Sequence, residues 1–207
     1  MGSVVPEVSV WLVRHGQSAS NAGLPVHGHD EVPLTALGVA QAQIIALEID
    51  APPTLLVDSP FLRSRETADA IAARWPHTPR ETWPIQEVTY LDPDKCVGTT
   101  VLTRQPMVEA FWRRCDPEYV DGAGAESFAH FMQRVADFDA RLRTLAGAFV
   151  VVVGHGQFFA AYRFGLTHGF VPDAQWMRRY RNSETSTPLR NGEILKLRVD
   201  GVATYAQ

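Results

Sequence analysis

The sequence predicts an α/β fold: a three-layer, doubly wound, mainly parallel sheet flanked by helices, with an insertion of about residues 90–124 over one end of the sheet. Three observations predict it. Short apolar, β-branched runs alternate with stretches of helical periodicity, the pattern of successive βαβ units. The alternation breaks once, between Tyr90 and Gly124, where Pro93, Pro106 and Pro117 interrupt the chain. The length of 207 residues fits one domain carrying a modest insertion, so residues 1–207 are expected to form a single domain.

Val8 to Val13 is a β-branched apolar run ending at Arg14-His15-Gly16, hence a buried strand feeding a loop. Thr35 is placed to cap a helix running to about Ile49, with Leu37, Ala40, Ile44, Ile45 and Leu47 as its apolar stripe, until Pro52-Pro53 stops it. Leu55 to Val57 is a second strand ending at Asp58-Ser59-Pro60, and a helix follows through Ala68, Ile71 and Ala72 to Trp75-Pro76. Ile85 to Val88 is expected to be a third strand, and the insertion is expected to hold one helix, Met107 to Arg114. Ser127 to Leu145 forms a long amphipathic helix, with Phe128, Phe131, Val135, Phe138 and Leu142 at three- and four-residue steps. Phe149 to Val153 is the clearest strand; it runs into Gly154-His155-Gly156 and a helix over Phe158 to Gly165. Glu193 to Val199 alternates as an edge strand does.

Composition excludes several classes. Lys and Arg total 19 against 23 Asp and Glu, a formal net charge of −4. No general nucleic-acid coat has that balance, whereas small anions are held by local charge. Cys96 and Cys115 are too few for a disulfide scaffold or a four-cysteine zinc site, which points to a reducing compartment. No basic leader precedes an apolar stretch, and no apolar run approaches the roughly 18 residues of a membrane span. A cytoplasmic protein without membrane or nucleic-acid partners is expected; oligomeric state stays open.

In doubly wound sheets ligands bind beyond the carboxyl ends of the strands. The residues there are Arg14-His15-Gly16, Ser59 with Arg63 nearby, Glu87, and Gly154-His155-Gly156. Any one has an ordinary structural explanation. Together, two glycine-flanked histidines, two arginines and a carboxylate describe an oxyanion cage with a histidine inside it. Glycines let backbone amides approach a ligand closely, and helix N-termini after both loops add positive dipole ends. A phosphoryl group needs fixed positive charge on its oxygens, for which the arginine fork is suited. Neighbouring arginines disfavour an imidazolium, so one ring nitrogen stays free to attack. A carboxylic acid at the cage edge would protonate the alkoxide leaving group and later activate water.

The motifs carrying these residues resemble, in order, those of the histidine phosphatase superfamily, the phosphoglycerate-mutase-like proteins. Arg14-His15-Gly16-Gln17-Ser18 with Asn21 is similar to the first histidine signature. Leu34-Thr35-Ala36-Leu37-Gly38 with Gln41-Ala42, then Ser59-Pro60-Phe61-Leu62-Arg63-Ser64 with Thr67-Ala68, are similar to the next two. Ala125-Glu126-Ser127, Val151 to Gly156, and Asn191 followed by Ile194 continue the series, so the resemblance covers roughly residues 8–199. It implies that His15 is the nucleophile that becomes phosphohistidine. It implies that Arg14, Arg63 and His155 bind the phosphoryl group, helped by Asn21 and the Gln157 amide, with Gln17 and Gly156 among the substrate-binding positions. Ile85-Gln86-Glu87 matches the segment carrying the family's acid, making Glu87 the candidate proton donor; Glu126 is a rival better explained by capping at its helix start. No cofactor is implied.

Departures bear on activity. After Glu87 the chain reads Val88-Thr89-Tyr90-Leu91-Asp92-Pro93, not the motif many phosphatase members share, and the mutase motif and longer insertion are also missing. This favours a metal-independent phosphomonoester hydrolase over mutase-type transfer. Gln17 and Ser64 replace the commoner Glu and Ala. Tyr90, Phe111, Trp112 and Tyr119 enrich the insertion in aromatics, as either a lid core or a substrate surface. Arg178, Arg179 and Arg181 are either a second anion site or a solvated helix face. His27-Gly28-His29-Asp30 carries metal-ligand residue types and keeps a metal-dependent phosphoesterase as an alternative; a non-catalytic phospho-ligand binding module is another. Gly122-Ala123-Gly124 fails as a dinucleotide fingerprint, and no serine-hydrolase elbow occurs. The particular phosphorylated substrate is not legible.

Overall fold

In the computed structural model, residues 6–25 and 28–201 are described. Strands β1 (Glu7–Arg14), β2 (Leu55–Asp58), β3 (Arg80–Thr82), β4 (Phe149–Gly154) and β5 (Ile194–Asp200) form one sheet in the order β3-β2-β4-β1-β5. All neighbours are parallel except β5, which closes the β1 edge antiparallel. Helices α1 (Ala36–Glu48) and α2 (Leu62–Arg74) cover one face; α5 (Phe128–Arg143), α6 (Gly156–His168) and α7 (Ala174–Ser186) cover the other.

Strand alternation explains the three layers. Val8, Val10 and Leu12 of β1, and Val150 and Val152 of β4, join a large core with Phe128, Phe131, Phe158, Tyr162 and Tyr180. Val13, Val151 and Val153 face the opposite way and pack on Ile45, Ala68 and Ile71. Side chains of period two on strands buried from both faces give the continuous apolar runs seen in the sequence.

Four sequence expectations change. Ile85 to Val88 is not a strand: β3 lies earlier, at Arg80–Thr82. Pro84 removes an amide that a ladder would need, and side chains of other elements bond the following backbone instead. On α1 the buried residues are Gly38, Ala42, Ile45 and Ala46, whereas Leu37, Ile44 and Leu47 face solvent. This helix is apolar nearly all round, so periodicity alone could not choose its inner face. The helix of the insertion, α4 (Val101–Arg114), starts six residues early because Thr100 and Thr103 form a reciprocal cap at its start. Pro106 lies inside this helix, which continues past it to Arg114. A short α3 (Pro93–Cys96) precedes it, with Asp92 accepting from Asp94 N–H as its cap. The insertion over residues 90–124 packs Tyr90, Phe111, Trp112 and Tyr119 against one another and onto Phe128, so its aromatics form a lid core. No helix among the described residues is long and apolar enough to cross a membrane.

Candidate active site

Register brings the two histidines together. Arg14 lies beside Gly154 and Asp58 beside Val153, so β1, β4 and β2 all end at one level. The His15 amide donates to Gly154 O at 3.0 Å, and the two imidazole centroids stand 5.1 Å apart. The loop after β1 is clamped from three sides. Gly16 N–H donates to Thr67 Oγ1, Asn191 Nδ2 donates to His15 O, and Gly192 N–H donates to Arg14 O. A Cβ on Gly16 would stand 2.3 Å from Gly38 O, so the loop touches α1 backbone to backbone and requires glycine there.

His15 is buried and its tautomer is set by its neighbours. Its Nδ1 lies 2.7 Å from Gly16 O, a group that only accepts, so Nδ1 carries the proton. Nε2 keeps its lone pair and accepts from Arg63 Nε at 3.1 Å. Burial first, then the charges of Arg63 and Arg14, hold its pKa well below the usual imidazole range despite the Gly16 bond. The ring is therefore neutral at pH 7.

His155 is fully buried. Ser59 Oγ accepts from Phe61 N–H, and among the described residues the one acceptor for its own hydroxyl proton is His155 Nε2 at 2.7 Å, so the hydroxyl donates there and leaves the ring proton on Nδ1. Burial, with Arg63 next, keeps this ring neutral as well. Its Nδ1 is buried with no partner among the described residues, and so is Arg14 Nε. Arg14 donates through Nη1 to Leu189 O, and its guanidinium lies against Gly156, where a Cβ would come within 3.3 Å of it. Arg63 adds a bond to His29 O at 2.8 Å and lies over the Phe61 ring; burial lowers its pKa to about 10, leaving it charged.

Glu87 sits off the sheet, on the irregular segment after Pro84. Its carboxylate accepts from the backbone amides of Gln157 and Phe158, both at 3.1 Å, at the first turn of α6. Burial raises its pKa against the opposing amide bonds and the charges of Arg14 and Arg63. Arg134 and Glu126 bracket the segment. Arg134 Nη1 donates to Pro84 O and Gln86 O, Glu126 accepts from Thr89 N–H, and the two side chains pair at 2.6 Å. Glu126 is thus tied into structure, and the helix cap proper is Ser127 Oγ, accepting from His130 N–H.

His15, Arg14, Arg63, His155 and Glu87 converge, with Gly156 under Arg14. The Gln157 amide belongs to this group but is engaged by Glu87. Gln17 turns away: its side chain accepts from Thr35 Oγ1 at 2.9 Å. Asn21 Oδ1 accepts from Ser18 and Asn191, bracing the loop at its rim. Sequence reasoning missed the supporting hydroxyls of Thr67, Ser64 and Ser59, whose only signal was their place in the second arginine motif. The arginines of α7 do not form one site: Arg179 bonds His168, and Arg181 pairs with Glu184 and lies over Trp112. His27 lies outside the described residues, and among the described residues no three His, Cys, Asp or Glu side chains cluster as metal ligands do.

The site can hold an anion at Arg14, Arg63 and His155 while presenting a neutral, oriented imidazole and a nearby carboxyl group. The chain is 29% identical over 190 residues, 86% of its length and 83% of the other's, to a Yersinia enterocolitica protein named "Probable phosphoglycerate mutase GpmB". Its fold is similar to mycobacterial glucosyl-3-phosphoglycerate phosphatase in complex with VO3, at 24% identity and a TM-score of 0.69 over 91% of this chain and 90% of that one. It is also similar in fold to alpha-ribazole phosphatase from Shigella flexneri, at 21% identity and a TM-score of 0.68 over 96% of this chain and all of that one (100%). The histidine phosphatase superfamily (branch 1) matches residues 10–192, and the chain, with both histidines and both arginines of the cage inside that span, belongs to that family.

Proposed function

We propose that this protein is a phosphomonoester hydrolase that works through a phosphohistidine on His15, with Glu87 as proton donor and a small organic phosphate as substrate. The observation that carries this reading is a pair of buried donors with no partner among the described residues, Arg14 Nε and His155 Nδ1, beside a neutral His15. A buried donor without an acceptor costs about 1–3 kcal/mol, and an anion's oxygens would satisfy both. Arg63 must yield its bond to Nε2 and take the phosphoryl group instead, a move that exchanges a neutral acceptor for a charged one.

In the first step the His15 Nε2 lone pair bonds to phosphorus and the ester P–O bond breaks. The electron pair leaves on the alcohol oxygen, which takes the Glu87 proton. In the second step water attacks phosphorus and gives its proton to the Glu87 carboxylate. The P–N bond then breaks and the pair returns to Nε2. Ester and water become alcohol and phosphate, and both catalytic groups are restored. Arg14, Arg63 and the His155 N–H supply the charge stabilisation, so no metal is required. The first turn of α6 adds its positive end.

Rapid quenching with a 32P-labelled ester tests the covalent step: label is expected on His15, and a protein that turns over without ever trapping label overturns it. Glu87→Gln is expected to slow alkyl phosphates by about 10²–10⁴ and aryl phosphates with good leaving groups less. Equal losses on both would remove Glu87 from the leaving-group step. Activity is expected to survive a strong chelator. The relative named as a phosphoglycerate mutase sets the alternative; release of free phosphate without positional isomers of the substrate distinguishes hydrolysis from transfer.

A further inference from the structure

Beside Glu87 the insertion encloses a cleft of about 190 Å³, lined by His29, Val88, Tyr90, Val101, Arg104 and Val108 among others. Val101, Arg104 and Val108 fall at i, i+3 and i+7, so one face of α4 forms its wall. Most of that wall is apolar, which strengthens any charge contact made inside. Arg104 is the cation in it. Its Nη1 donates to Thr99 O and Oγ1, and among the described residues no carboxylate pairs with it. Its other N–H groups remain for a further acceptor.

The placement is costly unless something offsets it. Arg104 occupies the first turn of α4, which contains no acidic residue and where the helix dipole disfavours a cation. His29, held to Arg63 through its carbonyl, shares the cleft and is kept neutral down to about pH 4 by burial and by Arg63 and Arg104. The cleft is therefore positive at its α4 end, with the candidate proton donor Glu87 on its other wall.

Building on the phosphatase reading above, we propose that this cleft receives the alcohol portion of the substrate, and that Arg104 selects phosphomonoesters whose alcohol carries a second anionic group, a carboxylate or another phosphate. The volume is below the roughly 300–1,000 Å³ of pockets for larger ligands, so the two anions are separated by only a few bonds.

Matched esters test this: 3-phosphoglycerate against glycerol 3-phosphate, O-phosphoserine against phosphoethanolamine, and a sugar bisphosphate against its monophosphate, each read as a kcat/KM ratio. The wild-type protein is expected to prefer the more acidic member of at least one pair by roughly 10- to 100-fold, the worth of a hydrogen bond to a charged group. Arg104→Gln is expected to carry that ratio toward one, and Arg104→Lys to retain part of it. The ratio is the readout, because a merely structural role for Arg104 would lower both members together and leave it unchanged. An unchanged ratio in Arg104→Gln, or no acidic preference in any pair while p-nitrophenyl phosphate is hydrolysed, overturns the proposal. Failure to hydrolyse p-nitrophenyl phosphate or any of the esters would instead overturn the phosphatase reading on which it rests.

Discussion

The hydroxyl of Ser64 ties two strand ends to the site. It donates to Val153 O at 2.8 Å on β4 and accepts from Ser59 N–H at 3.1 Å beyond β2. Ser59 in turn sets the proton on His155. Ser64→Ala would leave the buried Ser59 amide without its acceptor, and a loss of about 1–3 kcal/mol is expected in thermal or denaturant unfolding. Weaker inhibition by vanadate should accompany it if the Ser59–His155 contact loosens. Gly16 acts through the space it leaves empty. Gly16→Ala would press a Cβ onto the Gly38 carbonyl, and because backbone must move to relieve it, a larger loss is expected, with poor recovery of folded protein as the measure.

Among the elements, the segment between β3 and the insertion is the informative one. It carries Glu87 with no ladder to hold it, so its shape depends on Arg134 within α5 and Glu126 just before that helix. Both side chains are largely buried, at 10% and 13% exposure, and removing one partner of such a pair typically costs about 3–5 kcal/mol. Arg134→Met is therefore expected to lower stability by about that amount. It should also reproduce part of the Glu87→Gln pattern, a larger loss on alkyl than on aryl phosphates, which general loosening of the core would not produce. The same segment shows where sequence patterning ran out. Ile85 and Val88 are buried as strand residues would be, at 1% and 3% exposure, but Pro84 and the arginine clamp put them in irregular backbone. Glu87, the proton donor expected from sequence, accepts from the first-turn amides of α6, while the strand expected to carry it does not form.

For the whole molecule, the net charge of −4 and the positive cage are compatible because they act over different distances. Surface charges are screened beyond about 8–10 Å, whereas Arg14 and Arg63 are held inside the site. The histidines also predict how stability responds to pH. His15, His29 and His155 all have pKa values lowered in the folded protein, so below the unfolded value near 6.5 the unfolded chain binds protons the folded one refuses. Stability is therefore full above that value and lost as pH falls, for His29 down to about 4. Glu87 works the other way, since its raised pKa stabilises the folded state as it protonates, but it is one group against three. A fall in Tm between about pH 6.5 and 4 is expected, made shallower by His29→Asn; a flat profile would contradict neutral buried histidines.

The sequence by itself determined the layer architecture, the carboxyl ends of β1, β2 and β4, and the five residues that converge beyond the sheet. These follow from apolar runs buried on two faces and from short motifs whose residues act locally at loop tips. Tertiary structure alone decided the rest. Which face of α1 turns inward depends on what packs there, because its apolar residues surround the helix. Which nitrogen of each histidine carries a proton depends on Gly16 O and Ser59 Oγ, the latter contributed 96 residues before its partner. Whether Gln17 or Gln157 reaches a ligand depends on competing bonds to Thr35 and Glu87. Each of these is a competition between contacts distant along the chain, and a linear sequence does not contain its outcome until the elements are packed.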